Sequence, residues 1–444
     1  MIIKILLFLI LLTRSLYSFN VHDGQIDLIL NKEKDDYDFS QYLRLNFDFY
    51  PSDKIRIYFA LGNKLEHFNS LENIKAVVWA INLSYYYKFN VYAGIGDRLI
   101  DYSPYTIHME DWNDNVFKGL FLHFESKRYE IEMDGFIGLH AEETNSIRFE
   151  GVSLKADAGF INKYFINRIQ TETPTIWGAF RLARSWSDHV SSELIYVREN
   201  YILEKSVTGF ITYYVFDNNL AEIPFHIRFH ERILLDLSGA AMIKNYTKYN
   251  GAGNYYGQGK HKLEKDYENS LLAYASEVKL RLNGLVPVIL LNGNYTFTGR
   301  YIEQEYNPVH MDDGRLEESR GEDFLDDLYP GEKGFIVAGE WPFIPGNFIG
   351  FEYQRFLHTV HQKLYQEKRY FIKQFFTKDI SLMFLLYNKI GYLDTTGNID
   401  DLTGFIVRSE AMISSYLSFN LWFVEHRDNI KGNNTLFFET LFKF

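Results

Sequence analysis

Charged side chains recur at every second position in several segments of the chain. Arg44 and Asp48 alternate with Leu43, Leu45, Phe47 and Phe49, and Lys54 and Arg56 with Ile55, Ile57 and Phe59. Glu130, Glu132 and Asp134 alternate with Tyr129, Ile131 and Met133. His226, Arg228, His230 and Arg232 alternate with Phe225, Ile227 and Phe229, and Lys279 and Arg281 with Val278, Leu280 and Leu282. A period of two places the two sets on opposite faces of a β-strand. One face then carries charge of both signs, basic on 39–63, 224–237 and 270–283 and acidic on 127–138. Arg forks grip carboxylates bidentately, and charged rings around water select ions. The plainer chemistry is mutual neutralisation of mixed charges in a wet interior. One residue breaks the pattern, because Glu231 falls on the apolar phase of its segment.

Covalent chemistry has little support. The chain has no cysteine, so it has no disulfide, thiolate metal site or thiol nucleophile. No G-x-S-x-G, HExxH or phosphate-binding loop occurs. Histidines stand beside Ser and Asp, as in Ser187-Asp188-His189, but adjacency in sequence makes no triad. The 300–333 stretch is strongly acidic, yet Asp312-Asp313-Gly314 lacks the ligand spacing of a calcium loop. Neither a metal nor a cofactor is expected. A formal net charge of −12 also argues against a nucleic-acid partner.

The elements that must position the ladders are strands. Aromatics make up 17% of the 444 residues, with 38 Phe and 33 Tyr against 9 Pro, a balance that favours pleated structure. Residues 1–18 have the layout of a secretory signal peptide: Lys4, an apolar run from Ile5 to Leu12, and Ser18 at the end. The longest later apolar run, Leu285 to Leu291, is short and contains Pro287. The exported chain, 19–444, is therefore either soluble or a single β-barrel domain, because strands cross lipid only when closed into a ring. An apolar face of Phe, Leu, Ile and Tyr almost throughout favours the barrel over a sandwich.

The C-terminal segment, Leu436 to Phe444, places Phe444, Phe442, Phe438 and Leu436 on one face. It resembles the closing strand of Gram-negative outer-membrane β-barrels, whose terminal Phe is an assembly signal. That resemblance implies an outer-membrane location, outer-membrane lipid as surroundings and the barrel-assembly machinery as a partner. A second, local likeness lies in Gly94-Ile-Gly-Asp-Arg-Leu-Ile-Asp-Tyr-Ser103, followed after a loop containing Trp112 and Asn115 by Phe117-Lys-Gly-Leu-Phe-Leu122. It resembles the strand–loop–strand of alginate-export-type and related sugar porins, which implies an 18-stranded barrel with an Arg-lined lumen.

Strand-like segments recur along the whole chain. The expectation is an all-β transmembrane antiparallel barrel of about 18 strands, within 16–20, with short periplasmic turns and long outer loops at 98–114, 247–269 and 300–333. The 404–421 segment is long enough to hide a turn. The pore-lining set is Arg44, Arg56, Glu130, Glu132, Asp134, Arg228, Arg232, Lys279 and Arg281. The function expected is a channel for passive diffusion of small polar, anionic or sugar solutes, with a homotrimer the assembly common to such porins. The alternatives are a barrel that binds or exports surface polysaccharide and a barrel-embedded hydrolase.

Overall fold

The structure, a computed structural model, describes residues 19–33, 36–65, 74–88, 91–98, 100, 102–108, 116–141, 145–148, 176–207, 210–251, 264–285, 293–303, 306, 309–310, 331–358, 363–393, 399–414, 417–427 and 432–443. The first strands are β1 (Phe19–Glu33), β2 (Asp36–Ser52), β3 (Ile55–Leu65), β4 (Ile74–Lys88), β5 (Val91–Arg98), β6 (Ile107–His108), β7 (Val116–Ser126) and β8 (Ile131–Ala141). They are followed by β9 (Asn145–Arg148), β10 (Ile176–Ser187), β11 (Val190–Val207), β12 (Phe210–His230), β13 (Ile233–Gly251), β14 (Glu264–Leu285) and β15 (Gly293–Ile302). The last are β16 (Val309–His310), β17 (Glu332–Ile344), β18 (Asn347–His358), β19 (Lys363–Thr377), β20 (Ile380–Leu393), β21 (Ile399–Ser414), β22 (Leu417–Arg427) and β23 (Gly432–Lys443).

Among the described residues the main sheet has 21 strands. One of them, β9, pairs only with the outer part of β4. The other twenty form a ring in which each strand pairs antiparallel with its two neighbours. The ring closes where β1 meets β23, from Gln25–Lys443 to Glu33–Thr435. Closure joins the two ends of the sheet, so none of these twenty strands is a terminal edge strand. The count of twenty is even and stands at the top of the expected range.

Turns alternate between a tight end and an open end. At the tight end lie Asp53–Lys54, Lys127–Glu130, Asp188–His189, Glu231–Arg232, Pro345–Gly346 and Lys378–Asp379. Gly346 adopts φ +79°, and a Cβ there would come 2.9 Å from the Phe375 carbonyl, so the bend needs glycine.

Exposure is inverted relative to a water-soluble domain. Leu83, Leu120, Leu122, Ile137, Leu272, Phe297, Tyr370, Ile372 and Leu386 face outward and are exposed. Asp48, Glu222, Arg300, Glu352, Glu367, Arg369 and Lys389 are buried on the inner wall, with Glu367 and Lys389 at 0% exposure. Alternation along each strand produces both sets, as in β14, where Leu272 and Tyr274 point out and Ala273 and Ala275 point in.

Several sequence expectations change. The 224–237 segment is two strands, with a reversal at Glu231–Arg232. Glu231 is thereby removed from the apolar wall, which resolves its conflict with the pattern. Glu130 also sits in a turn, at φ +52°, and β8 starts at Ile131. Both ends of the 247–269 stretch are strand, since β13 reaches Gly251 and β14 begins at Glu264, and its middle lies outside the described residues. The 404–421 segment does divide, into β21 and β22.

Candidate functional site

The inner wall carries a series of ion pairs. Arg56 Nε donates to Asp48 Oδ1 at 2.6 Å, and Nη2 to Oδ2 at 3.0 Å, across the β2–β3 hairpin. Arg181 forks onto Glu193 at 2.7 and 3.1 Å while its Nη1 reaches Glu132 at 3.3 Å and Asp134 at 3.7 Å. His123 Nδ1 lies 2.8 Å from Asp134. Further round, Asp236 bridges His226 at 2.8 Å and Arg281 at 2.7 Å. Arg369 meets Glu367 at 2.6 Å and Glu352 at 3.7 Å. Apart from Arg369–Glu367, which are two apart on β19, these contacts join residues that sit opposite or diagonally on neighbouring strands, which is the pairing a pleated wall dictates.

His123, Glu132 and Asp134 bring candidate ligand atoms within 4.8 Å of one another. The Arg181 guanidinium already supplies the positive charge those carboxylates need. The trio is therefore complete as an ion-pair network.

Eight of the nine expected pore-lining residues fall into three groups, and the ninth, Arg44, stands apart. Arg56, Glu132, Asp134 and Arg281 lie on the inner wall and are paired there. Arg228 and Lys279 also face inward, and neither has a side-chain partner among the described residues. Glu130 and Arg232 belong to tight-end turns, where Arg232 Nη1 donates to the Gly284 carbonyl at 3.2 Å. Arg44 occupies a β2 position opposite Gln25 and Gly62, and its side chain lies outside the described residues. Phe438 pairs with Leu30 and Leu421, and Phe442 with Ile26 and Leu417, while Phe444 lies outside the described residues. At the tight end a cavity of about 730 Å³ is lined by Arg228, Arg281, His226, Asp236, Glu130 and Asp188, among others.

Farther in, two loops meet inside the ring. Ile107 and His108 pair in parallel with Val309 and His310, forming a two-stranded ladder separate from the wall. The first loop is closed by a turn in which Tyr102 and Ser103 N–H groups donate to the Ile107 carbonyl at 3.0 and 3.2 Å. The second is anchored by Glu303, whose N–H donates to Tyr274 O at 2.9 Å and whose carboxylate accepts from Tyr274 N–H at 3.0 Å. The Tyr306 hydroxyl donates to the Tyr105 carbonyl. The Tyr105 hydroxyl donates to Glu277 at 2.6 Å, and Arg300 Nε donates to the same carboxylate at 3.1 Å. Burial pushes both phenols well above their ordinary range, so both remain donors.

The wall under these loops is apolar where polarity was expected. Ile195, Val197, Leu220, Met242, Ala273 and Ala275 all point inward, and they pack with Ile100, Tyr105, Ile107 and Tyr306 in one cluster. Alternation of charged and apolar residues does not reveal this patch. The available signal was an interruption, since β11 and β14 place apolar or small residues on the phase that elsewhere carries charge. Such a patch facing water would be unfavourable, and the docked loops cover it.

No family model matches the chain, and no curated protein matches it. Solved structures with a similar trace include the outer membrane protein OpdK of Pseudomonas aeruginosa, at 8% identity and a TM-score of 0.49, covering 95% of this chain and 98% of that one. OccK10 (OpdN) of the same organism has 10% identity and a TM-score of 0.47, covering 95% and 98%. OccAB4 of Acinetobacter baumannii has 10% identity and a TM-score of 0.46, covering 96% and 97%.

Proposed function

We propose that this chain is an outer-membrane channel for passive diffusion of small polar or anionic solutes. The observation that carries the reading is the inverted exposure of a closed ring: large apolar side chains outward, a charged and hydrogen-bonded wall inward. Only lipid makes that outer face favourable, and only water in the lumen suits that inner one. A ring of twenty strands is wide enough for an aqueous path. The loops bearing Tyr105 and Tyr306 narrow the lumen from the β11–β15 side. Solutes pass the remaining wall, where Arg228 and Lys279 are cations without a side-chain partner among the described residues. Residues 1–18 act as the export signal, and the β23 segment through Phe444 is the part read by the barrel-assembly machinery.

Planar-bilayer recording of the purified chain tests the reading. Discrete ohmic steps, with migration on gels that changes on heating, are the expected result. A folded, heat-modifiable protein that gives no conductance rules out the channel while leaving the barrel. A protein that stays in the aqueous phase rules out both.

A further inference from the structure

We propose a binding site for the headgroup of an anionic phospholipid on the outer face of the barrel, built by Arg128, Tyr129, Arg184 and Trp186. The site rests on the membrane-barrel reading above. Arg184 lies on β10 two residues beyond Leu182, on the same outward face. Its guanidinium carbon stands 4.1 Å from the centroid of the Trp186 ring. Trp186 is 57% exposed, and its indole N–H donates to Ser192 Oγ at 2.8 Å, which fixes the ring against the outer wall. The neighbouring turn repeats the motif. Arg128 stands 5.5 Å from the Tyr129 ring, and Tyr129 is 59% exposed. A backbone bond from Ser185 N–H to Glu130 O, at 3.0 Å, ties this turn to β10.

Two guanidiniums, each beside an aromatic face, therefore stand at adjacent positions of the tight-end rim. Neither has an ion-pair partner among the described residues. The nearby acids, Glu130 and Asp188, line the cavity on the inner side. The outer rim at this point is thus cationic and unopposed, directly below the apolar band formed by Ile131, Leu182 and Leu194. A lipid lying along that band has its phosphate at the height of the two guanidiniums. Arginine forks match phosphate oxygens, and amphipathic Trp and Tyr rings settle at the headgroup level. An anionic headgroup is favoured over a zwitterionic one, whose own cation would face the two arginines.

Native mass spectrometry of the full chain, released from mixed micelles of detergent with phosphatidylglycerol or phosphatidylcholine, tests the site. Wild type is expected to retain phosphatidylglycerol in preference to phosphatidylcholine. The double variant R128Q/R184Q is expected to retain roughly tenfold less, since each basic group near an anionic surface contributes appreciably. R184K is expected to recover part of the loss. Equal retention by wild type and the double variant overturns the proposal, as does equal retention of the two lipids. Competition by free glycerol phosphate at millimolar levels overturns the lipid assignment. Heat-modifiable migration separates failure of the site from failure of the barrel: a double variant that keeps it tests the site alone, and a wild type that lacks it overturns the barrel reading.

Discussion

Arg181 shows how a single side chain holds the charged wall together. Its fork on Glu193 and its reach to Glu132 and Asp134 place one guanidinium among three carboxylates. Removing it leaves like charges facing each other at partial burial. With 23% of its side chain exposed, the full penalty for breaking a buried pair does not apply. Arg181→Leu is expected to destabilise the barrel by about 2 kcal/mol. The check is the urea midpoint at which heat-modifiable migration is lost in lipid vesicles. Arg181→Lys should recover only part, because an ammonium lacks the fork. Arg198 is the contrasting residue. It pairs with Asp217 at 2.9 Å but lies on the outer face with 52% of its side chain exposed. Arg198→Leu is expected to leave the midpoint unchanged.

At the level of elements, the docked loops are held by few polar contacts over an apolar patch. Tyr105→Phe removes the hydroxyl that donates to Glu277 and leaves Arg300 as its remaining described donor. A hydrogen bond to a charged group contributes about 1.5 kcal/mol, so the ratio of released to docked loops should rise about tenfold. Bilayer recordings of the variant should show more frequent visits to a larger conductance, and unchanged gating statistics would refute the latch. Much of this architecture was legible in the sequence, and the failures have physical causes. The strand phases around Leu43–Phe49, Ile55–Phe59 and Val278–Leu282 follow directly from alternation. The reversal at Glu231–Arg232 does not. A two-residue turn by itself inverts the parity of the alternation, but the register shift between Arg228 and His230 restores it, so Ile227 and Leu235 stay in phase across the reversal. Glu and Arg also carry no turn preference to mark the break. The docked loops were invisible for a different reason. Their contacts join residues such as Tyr105 and Glu277, far apart in the chain, and local periodicity reports nothing about such pairs.

For the whole molecule, a mean hydropathy of −0.22 averages two opposed surfaces and describes neither. The net charge of −12 is similarly uninformative about the lumen, because most inner-wall charges described are paired locally. On the channel proposed above, ion selectivity depends on the few described charges that are not. Arg228 and Lys279 face inward from β12 and β14, on either side of the wall section that carries the Asp236 bridge. Reversing both, as Arg228→Glu with Lys279→Glu, changes the local charge by four units in an aqueous passage. At a separation of about 10 Å, comparable to the screening length in about 0.1 M salt, each charge still acts weakly on a passing ion. The sum is expected to move the anion-to-cation permeability ratio toward cations by roughly threefold. The effect should fade in about 1 M salt, where screening acts within about 3 Å. Arg232→Glu provides the contrast, because Arg232 stands in a tight-end turn against Gly284 and not on the wall. It should leave the reversal potential close to that of wild type. A large shift from Arg232 and none from the Arg228–Lys279 pair would place the selective section at the turn end of the barrel and overturn the assignment to the wall.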